Sequence, residues 1–379
     1  MKRLRVVQLI PALNAGGVER CVLETSRALV SAGHESIVVS SGGRMVSQLK
    51  AEGGQHYDLP IHRKSPWTLL QVRPLRKLLE STRPDIIHIR SRIPGWVALL
   101  AIRGIPADHR PHVVSTMHGL HSVSRYSAIM THGEAVIAGS LTVRDYILKN
   151  YPACPADRIH LIPEGVDTAE FPYGYQPTEQ WLAEWQAAFP ELSGKTILAL
   201  PGRLTRLKGH ATFIELIQSL KKSYPNIHGL IIGGAETGKQ KYENELKQAI
   251  NTAGLSDFIS LTGHRSDIRD VMSQCDLVFS LSTKPESFGR TVLEAIRLGK
   301  PVIGWDIGGV GEILDSCYPA GRVPFGTSEE NRKNLLETTE RWLNQPNTPQ
   351  DSNNYLLSDM TAATLALYKQ LITSPKYSA

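Results

Sequence analysis

Twice along this chain, short apolar runs alternate with patterns of helical period, and few architectures accommodate that order. In the first half, Leu4–Ile10, Ser36–Ser40, Asp85–Ile89, His112–Met117 and Ala135–Ala138 read as buried strands. Helical patterns such as Val18–Ser31 and Thr68–Glu80 lie between them. Strands that are apolar on both faces and separated by helices predict a parallel sheet covered on both sides. The pattern breaks near Phe171, where Pro172, Gly174, Pro177 and Pro190 surround a short helical stretch, Trp181–Phe189. A second series follows through Thr196–Leu200, His228–Ile232, Phe258–Leu261, Leu277–Ser280 and Pro301–Trp305. The repetition is architectural, with no repeat at residue level. The predicted fold class is α/β, with two doubly wound domains facing a cleft. Residues 1–172 form the first domain, 173–192 a linker and 193–353 the second domain. Residues 354–379 are a C-terminal helix expected to return to the first. A chain of 379 residues is long enough to bury two cores.

Composition excludes several classes. No apolar run approaches the length of a membrane span. The basic start Met1-Lys2-Arg3-Leu4-Arg5 leads into Val6–Ile10, but Pro11 ends that run and no small-residue cleavage site follows. A buried first strand is therefore expected rather than a signal peptide. Cys21, Cys154, Cys275 and Cys317 are scattered without C-x-x-C spacing, which argues against a zinc site or a disulfide framework. Reduced thiols and a cytoplasmic location follow as expectations. Charge is uneven. Residues 1–172 carry 21 Lys/Arg against 14 Asp/Glu, whereas 173–379 carry 21 against 22. A basic half suits an anionic partner (nucleic acid, a membrane surface or a charged acceptor) or is simply a mildly basic surface.

Ligands of doubly wound sheets bind beyond the carboxyl ends of the strands, so the segments after each strand carry the chemistry. After the first strand, Asn14-Ala15-Gly16-Gly17-Val18 forms a glycine turn that opens a helix, whose free N–H groups suit an anion. It is not G-x-G-x-x-G, and Ser40-Ser41-Gly42-Gly43 offers no acid after the second strand. Both points count against a nicotinamide site. Opening the second series, Gly202-Arg203-Leu204-Thr205-Arg206-Leu207-Lys208-Gly209 sets Arg203 and Lys208 around a short loop before a helix. Two cations there suit a diphosphate; a solvated basic loop is the alternative. Further on, Glu286-Ser287-Phe288-Gly289-Arg290-Thr291-Val292-Leu293-Glu294 places two carboxylates about one predicted helix start. Carboxylates accept hydrogen bonds from sugar hydroxyls, and the helix start receives phosphate.

Together these segments resemble family-four retaining glycosyltransferases of the GT-B fold, built from two Rossmann-like domains, over nearly the whole chain. Ile162-Pro163-Glu164-Gly165-Val166-Asp167 and Gly308-Gly309-Val310-Gly311-Glu312 extend the match. Arg90-Ser91-Arg92-Ile93-Pro94-Gly95-Trp96 and Thr116-Met117-His118-Gly119 look like a bacterial cell-surface glycan branch. The resemblance implies transfer of a hexose-type sugar, with retention, from a nucleoside-diphosphate sugar, UDP favoured. The acceptor would be a glycan or lipid-linked molecule, as in lipopolysaccharide or other surface polysaccharide synthesis. No cofactor, metal or nucleic acid is implied. An anionic membrane surface, the inner membrane face, is an expected further partner.

The resemblance assigns catalytic parts to Glu286, His118, Arg203 and Lys208. Donor contacts fall to Gly16, Gly17, Arg203, Lys208, Glu294 and the backbone of Phe288, Gly289, Arg290 and Thr291. Arg203 and Lys208 would neutralise the leaving diphosphate. Glu294 would hold the ribose, and Glu286 a donor-sugar hydroxyl. Gly17 would lie near the diphosphate and His118 by the transferred sugar. Two residues depart from the family pattern: Glu164 stands where Asn is frequent, and Arg290 where Leu is frequent.

Other motifs weigh less. Gly233-Gly234-Ala235-Glu236-Thr237-Gly238-Lys239 spells most of a P-loop, but Gln240 replaces the hydroxyl that would hold magnesium. Asp-x-Asp is absent, and Glu243-Asn244-Glu245 reads as a solvated helix face. His118 and His121 share a helical spacing without a third ligand in view. The alternatives are a GT-B nucleotide-sugar epimerase and a non-catalytic nucleotide-sugar-binding protein.

Overall fold

The structure is a computed structural model and describes residues 2–14, 16–234 and 240–373. It divides into two compact units, one of Met1–Gly165 with Leu357–Ala379 and one of Val166–Leu356.

The first unit holds strands β1 (Arg5–Leu9), β2 (Glu35–Ser40), β3 (Gln55–Asp58), β4 (Ile86–Ile89), β5 (His112–Met117), β6 (Ala135–Ala138) and β7 (Ile159–Leu161). They form one parallel sheet in the order β3-β2-β1-β4-β5-β6-β7. The central strands are buried along nearly their whole length, as runs of Val, Ile and Ala between two helical layers must be. The helix Leu357–Thr373 packs on this sheet through Met360, Leu367 and Tyr368.

The second unit holds β8 (Thr196–Pro201), β9 (Ile227–Ile232), β10 (Ile259–Leu261), β11 (Leu277–Ser280), β12 (Val302–Trp305) and β13 (Arg322–Val323), parallel in the order β10-β9-β8-β11-β12-β13. In each sheet the order reverses beside the first strand, between β1 and β4 and between β8 and β11. Crevices form where the chain leaves such a sheet in opposite directions. The fold class is therefore two doubly wound, Rossmann-like sheets.

The structure revises two boundaries. Residues 173–192 are no free linker, because the second unit starts at Val166, whose N–H donates to the Tyr355 carbonyl at 3.0 Å. The helix Glu179–Ala188 stacks Trp181 on Trp185 at 5.3 Å, and Trp185 and Leu192 are buried in that unit's core. Thr68–Glu80 is not one helix either. A 3-10 turn, Pro66–Gln71, precedes an α-helix, Val72–Thr82.

Candidate functional site

In the second unit the two loops at the reversal of strand order are tied together by backbone. The Thr283 N–H donates to the Leu207 carbonyl at 2.9 Å, linking the loop after β11 to the loop after β8. Gly209, at φ 78°, lies where a Cβ would run into the Leu281 carbonyl, so only glycine permits this approach. Leu204 is buried and anchors its loop, which leaves Arg203 exposed beside it.

This arrangement delivers Lys208 to Glu286. The ammonium Nζ lies 2.7 Å from Glu286 Oε1, and both side chains keep 27% exposure. Ser282 Oγ donates to the same carboxylate oxygen. Burial alone would raise the Glu286 pKa. The Lys208 charge and hydrogen bond, the Ser282 hydroxyl and the Arg203 charge outweigh it and hold the carboxyl below its ordinary value. Glu286 therefore stays ionised throughout the neutral range. Beside it opens a pocket lined among others by Lys208, Ser282, Glu286, Gly289 and Thr291.

The helix Arg290–Arg297 starts at Gly289, φ 121°, with no side-chain cap, and its N-terminal end carries the positive pole of the helix dipole. A second helix start presses on the same loop, where the Gly309 N–H donates to the Glu286 carbonyl at 2.9 Å. Phe288 contributes only backbone here, since its ring is buried against Tyr355. Glu294 is buried one turn into the helix, and Arg290 Nε lies 3.1 Å from its Oε1. The departure at Arg290 thus produces an i, i+4 ion pair within the block itself.

Sequence reasoning overlooked Ser282, although its place two residues beyond β11 was a signal, and it gave Gly308 and Gly309 no packing role. Arg206 meets Glu245, and Lys247 meets Glu243 at 2.8 Å, so the Glu-Asn-Glu stretch is engaged in ion pairs. Of the P-loop-like run, Ala235–Lys239 lies outside the described residues.

The first unit holds the remaining candidates. Gly16 caps the helix Gly17–Ser31 at φ 145°. His118 follows β5, with Nδ1 3.4 Å from Glu164 Oε1, and its side chain is buried. Helical spacing does not place His121 with it, because residues 118–121 are not helical. Behind them Arg90 is buried and donates to Gln8 at 2.7 Å and Thr25 at 2.9 Å. Among the described residues its hydrogen-bond partners are neutral. His88 joins Tyr368 at 2.5 Å and Thr116 at 2.7 Å.

Burial depresses the pKa of six histidines in this unit: His34, His56, His88, His118, His121 (to about 4) and His160. For His88 and His118 the Arg90 charge adds to burial, while Glu164 opposes it at His118. The unfolded chain binds protons near pH 6.5 and the folded chain resists them to lower pH. Stability is therefore retained above pH 6.5 and declines as pH falls through that value. The expected slope is about 1.4 kcal/mol per pH unit for each histidine fully titrated in the unfolded state alone. Denaturant midpoints between pH 7.5 and 5.5 test this, and an unchanged or rising midpoint would contradict it.

The chain is thus built on two doubly wound parallel sheets, with the Lys208–Glu286 pair at the reversal of strand order in the second. Two family models match along the chain, Glycosyltransferase Family 4 over residues 15–170 and Glycosyl transferases group 1 over 183–356. The chain belongs to this glycosyltransferase family, of the GT-B type. It is 32% identical to the lipopolysaccharide core biosynthesis mannosyltransferase LpsB of Rhizobium meliloti, over 68% of this chain and 73% of that protein. Other curated matches span 58%, 59% and 37% of their relatives' lengths. Among solved structures, a glycosyltransferase from Rickettsia africae aligns with a TM-score of 0.80 and 26% identity, covering 99% of this chain and 100% of that one. Anabaena HepE in complex with UDP and glucose aligns with a TM-score of 0.76 and 19% identity, over 97% and 100%; at that identity the likeness speaks for the fold.

Proposed function

We propose that the protein is a retaining, metal-independent glycosyltransferase that moves a hexose-type sugar from a nucleoside-diphosphate sugar to a glycan or lipid-linked acceptor. The observation that carries this reading is the Lys208–Glu286 pair at the mouth of the pocket beside Gly289. Breaking the anomeric carbon–oxygen bond builds negative charge on the departing diphosphate. Lys208, Arg203 and the first N–H groups of the helix Arg290–Arg297 are preorganised to stabilise that charge. They supply what a divalent ion would otherwise bring. Glu286, kept ionised, accepts a donor-sugar hydroxyl once the diphosphate engages Lys208, and Glu294 serves the ribose. Gly16, Gly17 and His118 keep the parts that the family resemblance implies.

UDP is favoured from that resemblance and from the ligand named for HepE. The LpsB relative supports lipopolysaccharide or related surface-glycan synthesis. The cationic surplus of residues 1–172 supports an anionic acceptor at the inner face of a cytoplasmic membrane. Among the described residues no helix is long and apolar enough to cross a membrane.

A thermal-shift screen of nucleoside diphosphates and their sugars in EDTA tests the donor and metal assignments together. At least one of them should raise the melting temperature, since a ligand of the native state stabilises it. Stabilisation or activity that EDTA abolishes and magnesium or manganese restores would overturn metal independence.

A further inference from the structure

The run Arg90-Ser91-Arg92-Ile93-Pro94-Gly95-Trp96 has no part in the donor site, yet it builds a second constellation in the first unit. Arg90 is spent on Gln8 and Thr25. Arg92, the first residue of the helix Arg92–Arg103, has other neighbours. Its guanidinium donates to Ser127 Oγ at 3.3 Å and lies 5.4 Å from the centre of the Tyr126 ring. Trp96, about one turn further along the helix, donates from Nε1 to the Tyr126 carbonyl at 3.0 Å and so fixes the loop that carries the ring. From the segment after β3, Lys64 brings its ammonium to 4.8 Å from the same ring centre. The three residues follow β3, β4 and β5, beyond the carboxyl ends of those strands, where doubly wound sheets bind their ligands.

Two cations thus share one aromatic ring, and no carboxylate answers them. Residues 59–79, 86–107 and 112–133 contain no Asp or Glu. Among the described residues the partners of Lys64 and Arg92 are the Tyr126 ring and the Ser127 hydroxyl, both neutral. Arg92 also sits at the positive pole of its helix, whose first turn holds no acidic residue. A cation is disfavoured there unless an anion joins it. The field reaches His121, whose pKa burial and the Arg92 charge together push down to about 4.

We propose that Lys64, Arg92 and Tyr126 bind a phosphomonoester carried by the acceptor sugar. The site rests on the acceptor reading above but shares no residue with the donor site. A phosphomonoester carries close to two negative charges at neutral pH, which matches the two cations. A carboxylate or a phosphodiester headgroup carries one and leaves a cation over. The planar guanidinium offers paired N–H donors to two phosphoryl oxygens, and Lys64 adds a compact charge. The Tyr126 ring face holds both cations in place.

The test is a phosphorus NMR titration of the full chain with glucose 6-phosphate in EDTA. Excess UDP keeps Lys208 occupied, and its diphosphate signals are distinct from that of the monoester. Wild type should bind the monoester saturably. Lys64→Gln/Arg92→Gln should lose at least about tenfold in affinity, the usual worth of a charge-assisted contact. Tyr126→Leu should weaken binding and Tyr126→Phe should keep it. Arg73→Gln/Lys77→Gln, which removes two exposed cations elsewhere in the unit, should bind as wild type does. All variants should keep the wild-type thermal shift with nucleoside diphosphate, which reports folding. Failure of that shift in wild type would count against the donor reading alone, since the monoester titration stands without it. No saturable binding by wild type, full binding by Lys64→Gln/Arg92→Gln, or an equal loss in Arg73→Gln/Lys77→Gln would overturn the inference. Equal affinity for glucuronate or dihexanoyl phosphatidylglycerol would overturn it too, as would equal affinity for inorganic phosphate, an adventitious ion only.

Discussion

Lys208→Ala is expected to weaken nucleoside diphosphate binding by about 1.5–3 kcal/mol, roughly ten- to a hundred-fold, the usual worth of a hydrogen bond to a charged group. Its ammonium is a cation that the fold delivers to the pocket beside the start of the helix Arg290–Arg297. The same change removes the charge that offsets burial at Glu286, whose carboxyl should then titrate higher. Two consequences follow, and a second substitution separates them. Glu286→Gln in the Lys208→Ala background relieves an ill-compensated carboxylate and should recover stability, but the phosphate still lacks its cation and affinity stays low. Glu286→Gln alone should lower turnover with little effect on diphosphate affinity. Calorimetric titration of each variant decides the matter, and unchanged affinity in Lys208→Ala would remove the loop after β8 from the site.

Gly209→Ala is expected to cost roughly 2–5 kcal/mol of stability, combining the left-handed backbone penalty with a clash that only backbone movement can relieve. At φ 78° the new methyl would meet the Leu281 carbonyl, which belongs to the loop that carries Glu286. Relief requires the loops after β8 and β11 to part, so donor affinity should fall with stability. Gly194 is the control: it also has a positive φ, 68°, but no neighbour stands within 4 Å of a Cβ there. Gly194→Ala should show the backbone penalty alone, about 1–2 kcal/mol, with donor affinity intact. Equal losses at the two glycines would mean that the loops are not wedged together as described.

Much of this was legible in the sequence, and the exceptions share physical causes. Central strands announce themselves because both faces are buried. By contrast β3, β7 and β13 are short strands at sheet edges and only partly buried, and their sequences leave no such trace. Residues 173–192 resembled a linker because Pro and Gly dominate its flanks. The informative pattern was Trp181, Trp185 and Phe189 at four-residue spacing, one face of a helix needing a core. The Arg290–Glu294 pair was readable from its i, i+4 spacing. The Lys208–Glu286 and His118–Glu164 contacts were not, because they join residues 78 and 46 positions apart that only the sheet order brings together.

The central claim is transfer from a nucleoside-diphosphate sugar, and the most direct measurement is release of nucleoside diphosphate in EDTA, with and without an acceptor fraction of bacterial glycolipids. The predicted result is release that depends on the acceptor, leaves the sugar's anomeric configuration unchanged in the product, and slows in Lys208→Ala. Release that ignores the acceptor, a donor converted to its epimer, or donor binding with no release from any nucleotide sugar would contradict it.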